Sequence, residues 1–250
     1  GRAVPHVRGK RWLKDMNVLT PIFDYSKLGF GENGQRLGYK YYFGLWAGIC
    51  RSCDGVKQIS AGDKILWPTK NDANTEAADG TTSGTVSAET IFGGEKKEGG
   101  QKGDFRILYG GDSQTLDTYV SQNFGSTIPP GRGIVSVVYG NPAEVVEEEV
   151  WSIFKLIYAI FKVFVPDAYY WGTTTYPKWH KYLVKSTDKD TDGNTIWQSA
   201  LANVGDDDFN PIHAIREWII DMKVGRGLSS DLIGPTFATV AATLQTEGYG

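Results

Sequence analysis

Tyr39-Lys40-Tyr41-Tyr42-Phe43-Gly44-Leu45-Trp46-Ala47-Gly48-Ile49-Cys50 is aromatic and rich in residues that fit a pleated, packed surface, and it reads as a central β-strand. Gly44 and Gly48 are the small positions in it, where another backbone or ring can approach closely. Working outward, Gln58 to Trp67 folds around Ala61-Gly62-Asp63-Lys64 as a hairpin. Thr85 to Phe92 and Asp104 to Tyr109 are further strand patterns, the second ending at Gly110-Gly111. Pro129-Pro130-Gly131 sets a rigid turn into Ile134 to Tyr139, where only Ser136 is neither β-branched nor aromatic. A last strand pattern runs from Tyr176 to Val184. The 31 Gly carry no G-X-Y period. They read as the turns, bulges and kinks of many short strands.

Upstream, residues 1–30 mix Pro5, Gly9 and Pro21 with basic side chains, which predicts an extended arm with at most one strand. Residues 142–165 break the β pattern. Pro142 suits a first helical position after Asn141, Glu144 and Glu147 to Glu149 favour the positive end of a helix dipole, and an apolar run continues to Val165. This predicts a helix inserted in the β-rich region, although its Ile, Val, Phe and Tyr also suit strands. The run is shorter than about 20 residues and carries Lys155 and Lys162, so the reading is a buried or subunit-contact helix and not a spanning one. Reversible contact with a membrane is the minor alternative. The predicted contact stripe is Trp151, Phe154, Ile157, Tyr158, Phe161 and Val165.

Toward the C-terminus, Asn210 caps and Pro211 starts a helix whose apolar stripe is Ile212, Ile215, Trp218 and Ile219. It ends before Gly225. Ser229 to Leu232 is a short helical turn, and Pro235 starts a second helix through Leu244. The predicted organisation is an arm over 1–30, a β-rich domain over 31–186 with an apolar insert at about 142–175, and a loop plus helical segment over 187–250. The fold class is α+β.

With 26 basic and 29 acidic residues the formal net charge is −3, which supplies no long-range field for a phosphate backbone. No direct sequence-specific nucleic-acid partner is expected. Arg2, Arg8, Lys10, Arg11 and Lys14 form the one local basic cluster, read as a solvated or interfacial arm. The first residues lack the n- and h-regions of a signal peptide, and two cysteines are too few for a disulfide framework, so assembly in a reducing compartment is expected. The chain opens without Met and stops directly after a helical pattern. A processed, engineered or partial segment of something longer is expected.

Candidate chemistry is sparse. Cys50-Arg51-Ser52-Cys53 is half a zinc site or a redox pair, but no second CxxC or HxxxH follows and the pair ends a strand instead of opening a helix. Buried or incidental thiols is the better reading. Asp188, Asp190, Asp192 and Gly193 resemble the first half of an EF-hand loop, yet the twelfth position is Ser199, and a turn stabilised by Asp side chains is favoured. His6, His180 and His213 sit in no G-x-S-x-G or H-E-x-x-H motif. The acidic runs Glu147 to Glu149 and Asp206 to Asp208 offer carboxylate pairs for glycoside cleavage, but such runs are usually solvated surface. The expectation is no enzyme, no metal and no cofactor. A tail-associated peptidoglycan or glycan hydrolase is the alternative, and a carbohydrate-binding module, suggested by 8 Trp and 13 Tyr, is a third.

Four segments resemble siphophage tail-tip proteins, the family of lambda-type tip attachment proteins and gene-transfer-agent host-specificity hubs. They are Gly38-Tyr39-Lys40-Tyr41-Tyr42 with Gly44-Leu45; Ile91-Phe92-Gly93-Gly94-Glu95-Lys96-Lys97-Glu98-Gly99-Gly100; Arg132-Gly133-Ile134-Val135; and the block from Asn210-Pro211-Ile212-His213-Ala214-Ile215 through Gly225-Arg226-Gly227-Leu228 to Glu247-Gly248-Tyr249-Gly250. The last is the most specific. The resemblance covers roughly 36–140 and 176–250, and the insert is its departure. It implies an antiparallel β-barrel-rich hub domain with an inserted apolar helix and a C-terminal helical segment. It further implies a homotrimer in the virion tail tip, assembled in the host cytoplasm, that closes the tail tube and opens for DNA passage. The implied partners are the distal tail protein ring, the tape-measure protein and tail fibres or receptor-binding proteins, with host membrane contact through the insert.

Overall fold

A computed structural model describes residues 3–14, 16–20, 23–30, 36–68, 75–94, 97–141, 168–176, 178–187, 190, 194–205 and 207–250. The strands are β1 (Gly9–Lys14), β2 (Asn17–Val18), β3 (Phe23–Phe30), β4 (Arg36–Cys50), β5 (Gly55–Ala61), β6 (Lys64–Trp67), β7 (Ser83–Ala88), β8 (Gln101–Leu108), β9 (Val135–Tyr139), β10 (Tyr169–Gly172), β11 (His180–Ser186), β12 (Asn203–Val204) and β13 (Asp208–Phe209). Among the described residues there are three α-helices, α1 (Thr118–Phe124), α2 (Pro211–Ile220) and α3 (Thr236–Glu247). Among the described residues every strand pairing is antiparallel. The class is α+β.

The long strand is β4, and it organises the larger sheet. Phe43, Leu45, Ala47 and Ile49 point into the main core, while Trp46 points the other way, into a second cluster with Tyr119, Val120 and Val138. Both faces of the strand are therefore covered, one by the core and one by α1. Strand β4 pairs with β2, β3, β9 and β10, and β9 continues through β8 to β7. Leu45 lies opposite Tyr139 in the β4/β9 ladder. Strand β10 pairs with β4 through Tyr169 and Phe43 and with β8 through Tyr170 and Lys102, so the circuit β4, β9, β8, β10 returns to its start.

Gly44 shows why the apolar run needs its gaps. A Cβ there would overlap the Tyr119 hydroxyl and come within 2.9 Å of Tyr119 Cζ. Gly140, at φ +107°, receives the same ring from the end of β9. The Tyr119 ring thus seats in a slot that two glycines leave open. Asp117 caps α1 by accepting from the Tyr119 and Val120 amides, and Arg106 pins that carboxylate through two nitrogens at 2.7 and 2.9 Å.

The smaller sheet runs β1, β11, β5, β6. Its Val56, Ile59, Tyr182 and Val184 share one core with Val137, Tyr139 and Phe105 of the larger sheet. Trp67 meets Phe105 edge-on across the layers, ring centroids 5.1 Å apart.

The first thirty residues carry three strands, where at most one was expected. Strand β1 lies at the edge of its sheet, which tolerates Lys10, Arg11 and Lys14 on a half-exposed ribbon. Its partner is β11, with Trp12 opposite Leu183. The strand β10 falls in the stretch expected to be insert, and β11 begins at His180 instead of Tyr176. The C-terminal elements follow the sequence reading. The Asn210 side chain accepts from the Ile212 amide with Pro211 in the first turn, a 3-10 turn spans Ser230–Leu232, and α3 follows.

Candidate functional site

The chemically richest cluster is sealed inside the fold. His180, from β11, shares its Nε2 hydrogen with Gln101 Oε1 at 2.5 Å, leaving Nδ1 to accept from the Tyr139 hydroxyl, also at 2.5 Å. Tyr139 meets Tyr182 at 2.8 Å, and Tyr169 donates to the same Gln101 oxygen at 3.2 Å. Trp171 stacks on the imidazole at 4.7 Å. Burial holds His180 down to about 3 and pushes the Tyr139 and Tyr169 phenols up, so each group is neutral at pH 7. A neutral, fully buried network of this kind specifies packing. It has no access to a substrate.

Cys50 and Cys53 are buried free thiols, and the contact with Cys50 together with burial raises the Cys53 thiol well above its ordinary value. A raised thiol is a poor nucleophile at neutral pH. Asp190 acts as a turn residue, accepting the Asn194 amide at 2.8 Å on its side chain, whereas Asp188, Asp192 and Gly193 lie outside the described residues. So do Asp206, Glu147 to Glu149 and the whole stripe Trp151, Phe154, Ile157, Tyr158, Phe161 and Val165. Asp207 pairs with Lys10 at 2.7 Å and Asp208 with Arg11 at 3.3 Å. The basic cluster near the N-terminus is thus matched, at these two residues, by acids of the C-terminal segment.

The arm and that segment are also joined at α2. Arg8 meets Glu217 through Nε, at 2.6 Å, and through Nη2, while its Nη1 donates to Ser186 Oγ at 2.8 Å. The guanidinium lies over Phe209 at 5.4 Å, and His6 Nε2 stands 3.7 Å from the same carboxylate. Burial pushes the Glu217 carboxyl up, and the hydrogen bonds from His6 and Arg8 with the Arg8 charge overcome it, holding the group at about 2.

Helix α2 is consequently inverted. Its buried positions are His213 and Glu217. Of the apolar stripe read from sequence, Ile212 and Ile219 are half-buried, Ile215 is exposed, and Trp218 is 58% exposed. Just past the helix Met222 is 89% exposed, Leu228 and Leu232 are exposed as well, and Arg226 lies over the Trp218 ring at 5.5 Å. Ile215, Trp218 and Met222 are thus large apolar side chains left exposed on the single chain. Beside that face, with Met222 on the shared rim, opens a cavity of about 360 Å³ between α2 and the Ile196-Trp197 turn.

Sequence reading placed Arg8 in the basic arm but did not pair it with Glu217, and it did not find Arg216 or Trp197, which line the cavity. Arg8 and Glu217 are 209 positions apart. The available signal was His213 and Glu217, polar and four apart on one helix face, which the apolar stripe beside them outweighed.

No family model matches the sequence, and no curated protein matches it. Among solved structures, the chain is similar to a chain of "Virion of native gene transfer agent (GTA) particle", at 16% identity and a TM-score of 0.32, over 96% of this chain and 37% of that one. The chain thus spans little more than a third of that protein's length.

Proposed function

We propose that this chain is a structural protein of a tailed virion: the hub at the distal end of the tail tube, working as a homotrimer that closes the tube and opens for DNA passage. The observation that carries the reading is the inverted helix α2, which spends its buried face on the Arg8 clamp and turns Ile215, Trp218 and Met222 outward. In a ring of copies such a face is covered by a neighbour, and the greasy surface that costs solubility on a lone subunit becomes contact. The four sequence segments that resemble tail-tip hubs support the same reading, and the most specific of them contains α2 itself.

In this reading the β4, β9, β8, β10 circuit belongs to a barrel of the hub, and the 142–165 insert adds further contact between subunits. The distal tail protein ring, the tape-measure protein and fibre or receptor-binding proteins are the partners. Catalysis forms no part of it. The test is the mass of the purified chain in solution by sedimentation equilibrium, for wild type and for Trp218→Asp. A concentration-dependent three-fold mass that the substitution abolishes is the expected result. A monomer at every concentration, unchanged by Trp218→Asp, would remove the basis for the proposal.

A further inference from the structure

The larger sheet has an outer face whose side chains the core does not use. Successive residues of a strand point to opposite faces, and Phe43 of β4, Phe105 of β8, Val86 of β7 and Tyr169 of β10 belong to the core. Their strand neighbours therefore face outward. Tyr42 stands opposite Tyr170 in the β4/β10 ladder, Tyr170 opposite Lys102 in the β10/β8 pairing, and Asp104 opposite Thr85 in the β8/β7 ladder. Cross-strand partners lie close enough to touch, and the Tyr42 and Tyr170 ring centroids are 5.4 Å apart with the planes at 45°.

This face is hollowed instead of flat. Together with Lys40 and Glu89, these residues line a cavity of about 660 Å³, within the range of about 300–1,000 Å³ that small-molecule sites occupy. Two phenol rings form its wall, and its rim is polar. Lys102 Nζ meets Glu89 Oε1 at 2.6 Å with both side chains half-exposed, and the Thr85 hydroxyl donates to Asp104 Oδ1 at 2.5 Å. Lys40 and Lys102 stand against Glu89 and Asp104, so the lining carries no net charge and favours neither an anion nor a cation. Lysine and carboxylates in this density are also what the core of a protein–protein interface lacks. Aromatic faces beside ammonium donors, carboxylate acceptors and hydroxyls that do both complement an uncharged ligand with an apolar C–H face and hydroxyls around its edge.

We infer that this cavity binds a neutral oligosaccharide. A pyranose ring lays its C–H face on Tyr42, which Tyr170 backs, and its hydroxyls reach Glu89, Lys102 and Asp104. The site goes beyond the hub reading and does not rest on it, because every residue in it comes from one chain.

Calorimetric titration of the full chain tests it, with maltotriose and triacetylchitotriose as neutral probes and trigalacturonate and the glucosamine trimer as charged ones. Saturable binding of at least one neutral trisaccharide is expected, about tenfold weaker or more for the charged ones and for Tyr42→Ala and Glu89→Ala. Glu89 is exposed and follows the end of β7, so an unchanged unfolding midpoint of Glu89→Ala keeps its loss of binding from being read as misfolding. The inference is overturned by no saturable binding of either neutral trisaccharide at millimolar concentration, by charged and neutral forms binding equally, or by unchanged affinity in either variant. Loss of self-association in Tyr42→Ala or Glu89→Ala, with no sugar bound by the wild type, would give the face to a second copy and overturn it as well.

Discussion

Arg8→Ala removes the guanidinium that meets Glu217 through two nitrogens and leaves the carboxyl in place at 7% exposure. Held at about 2 instead of its ordinary 4.5, Glu217 contributes about 3 kcal/mol to folding, at about 1.4 kcal/mol for each tenfold change in proton affinity. Because the folded value is the depressed one, that contribution is complete above pH 4.5 and is lost as pH falls toward 2. Breaking a buried pair from one side costs about 3–5 kcal/mol, and the nearby His6 places the expected loss at the lower end. Urea unfolding of wild type and variant, followed by far-ultraviolet dichroism from pH 2 to 7, reads the difference directly. It should be about 3 kcal/mol at pH 6 and shrink through the window from 4.5 to 2. A difference below about 1 kcal/mol, or one that does not change with pH, would refute the claim that this charge pair fastens the arm to the C-terminal segment.

Gly44→Ala should destabilise by about 1–3 kcal/mol through overlap with the Tyr119 ring. Adding Tyr119→Phe should recover part of it, a coupling that thermal unfolding of the double mutant measures. His180, held at about 3 against 6.5 when unfolded, stays neutral while the unfolded chain takes up a proton. Stability should therefore decline as pH drops from 6.5 toward 3, by up to about 5 kcal/mol, and His180→Phe should flatten that slope even though it weakens the fold. Met222→Glu should reduce self-association without lowering the unfolding midpoint of the subunit, since the side chain stands almost wholly in water.

The β-rich character was legible because β4 carries its own signal: aromatic and β-branched residues with glycine where the Tyr119 ring must pass. Asn210-Pro211 and Ser229 were equally readable, since capping chemistry is local. Strand β1 was not, because an edge strand can be basic and half-exposed and its pairing with β11 is written nowhere near it. Helix α2 was placed correctly, but which face it buries was not legible. Its stripe of Ile212, Ile215, Trp218 and Ile219 has the period of a core face, and only the Arg8 clamp, from the far end of the chain, explains why Glu217 turns inward. The Arg216 cavity escaped for the same reason: its pieces are ordinary until the Ile196-Trp197 turn folds over them.

Cryo-electron microscopy of tailed particles that carry this chain tests the central claim most directly. The account predicts three copies around the tube axis at its distal end, with Trp218 and Met222 of each covered by another protein surface. A copy number other than three, a position away from the distal end of the tube, or a map with that face of α2 open to solvent in every copy would contradict it.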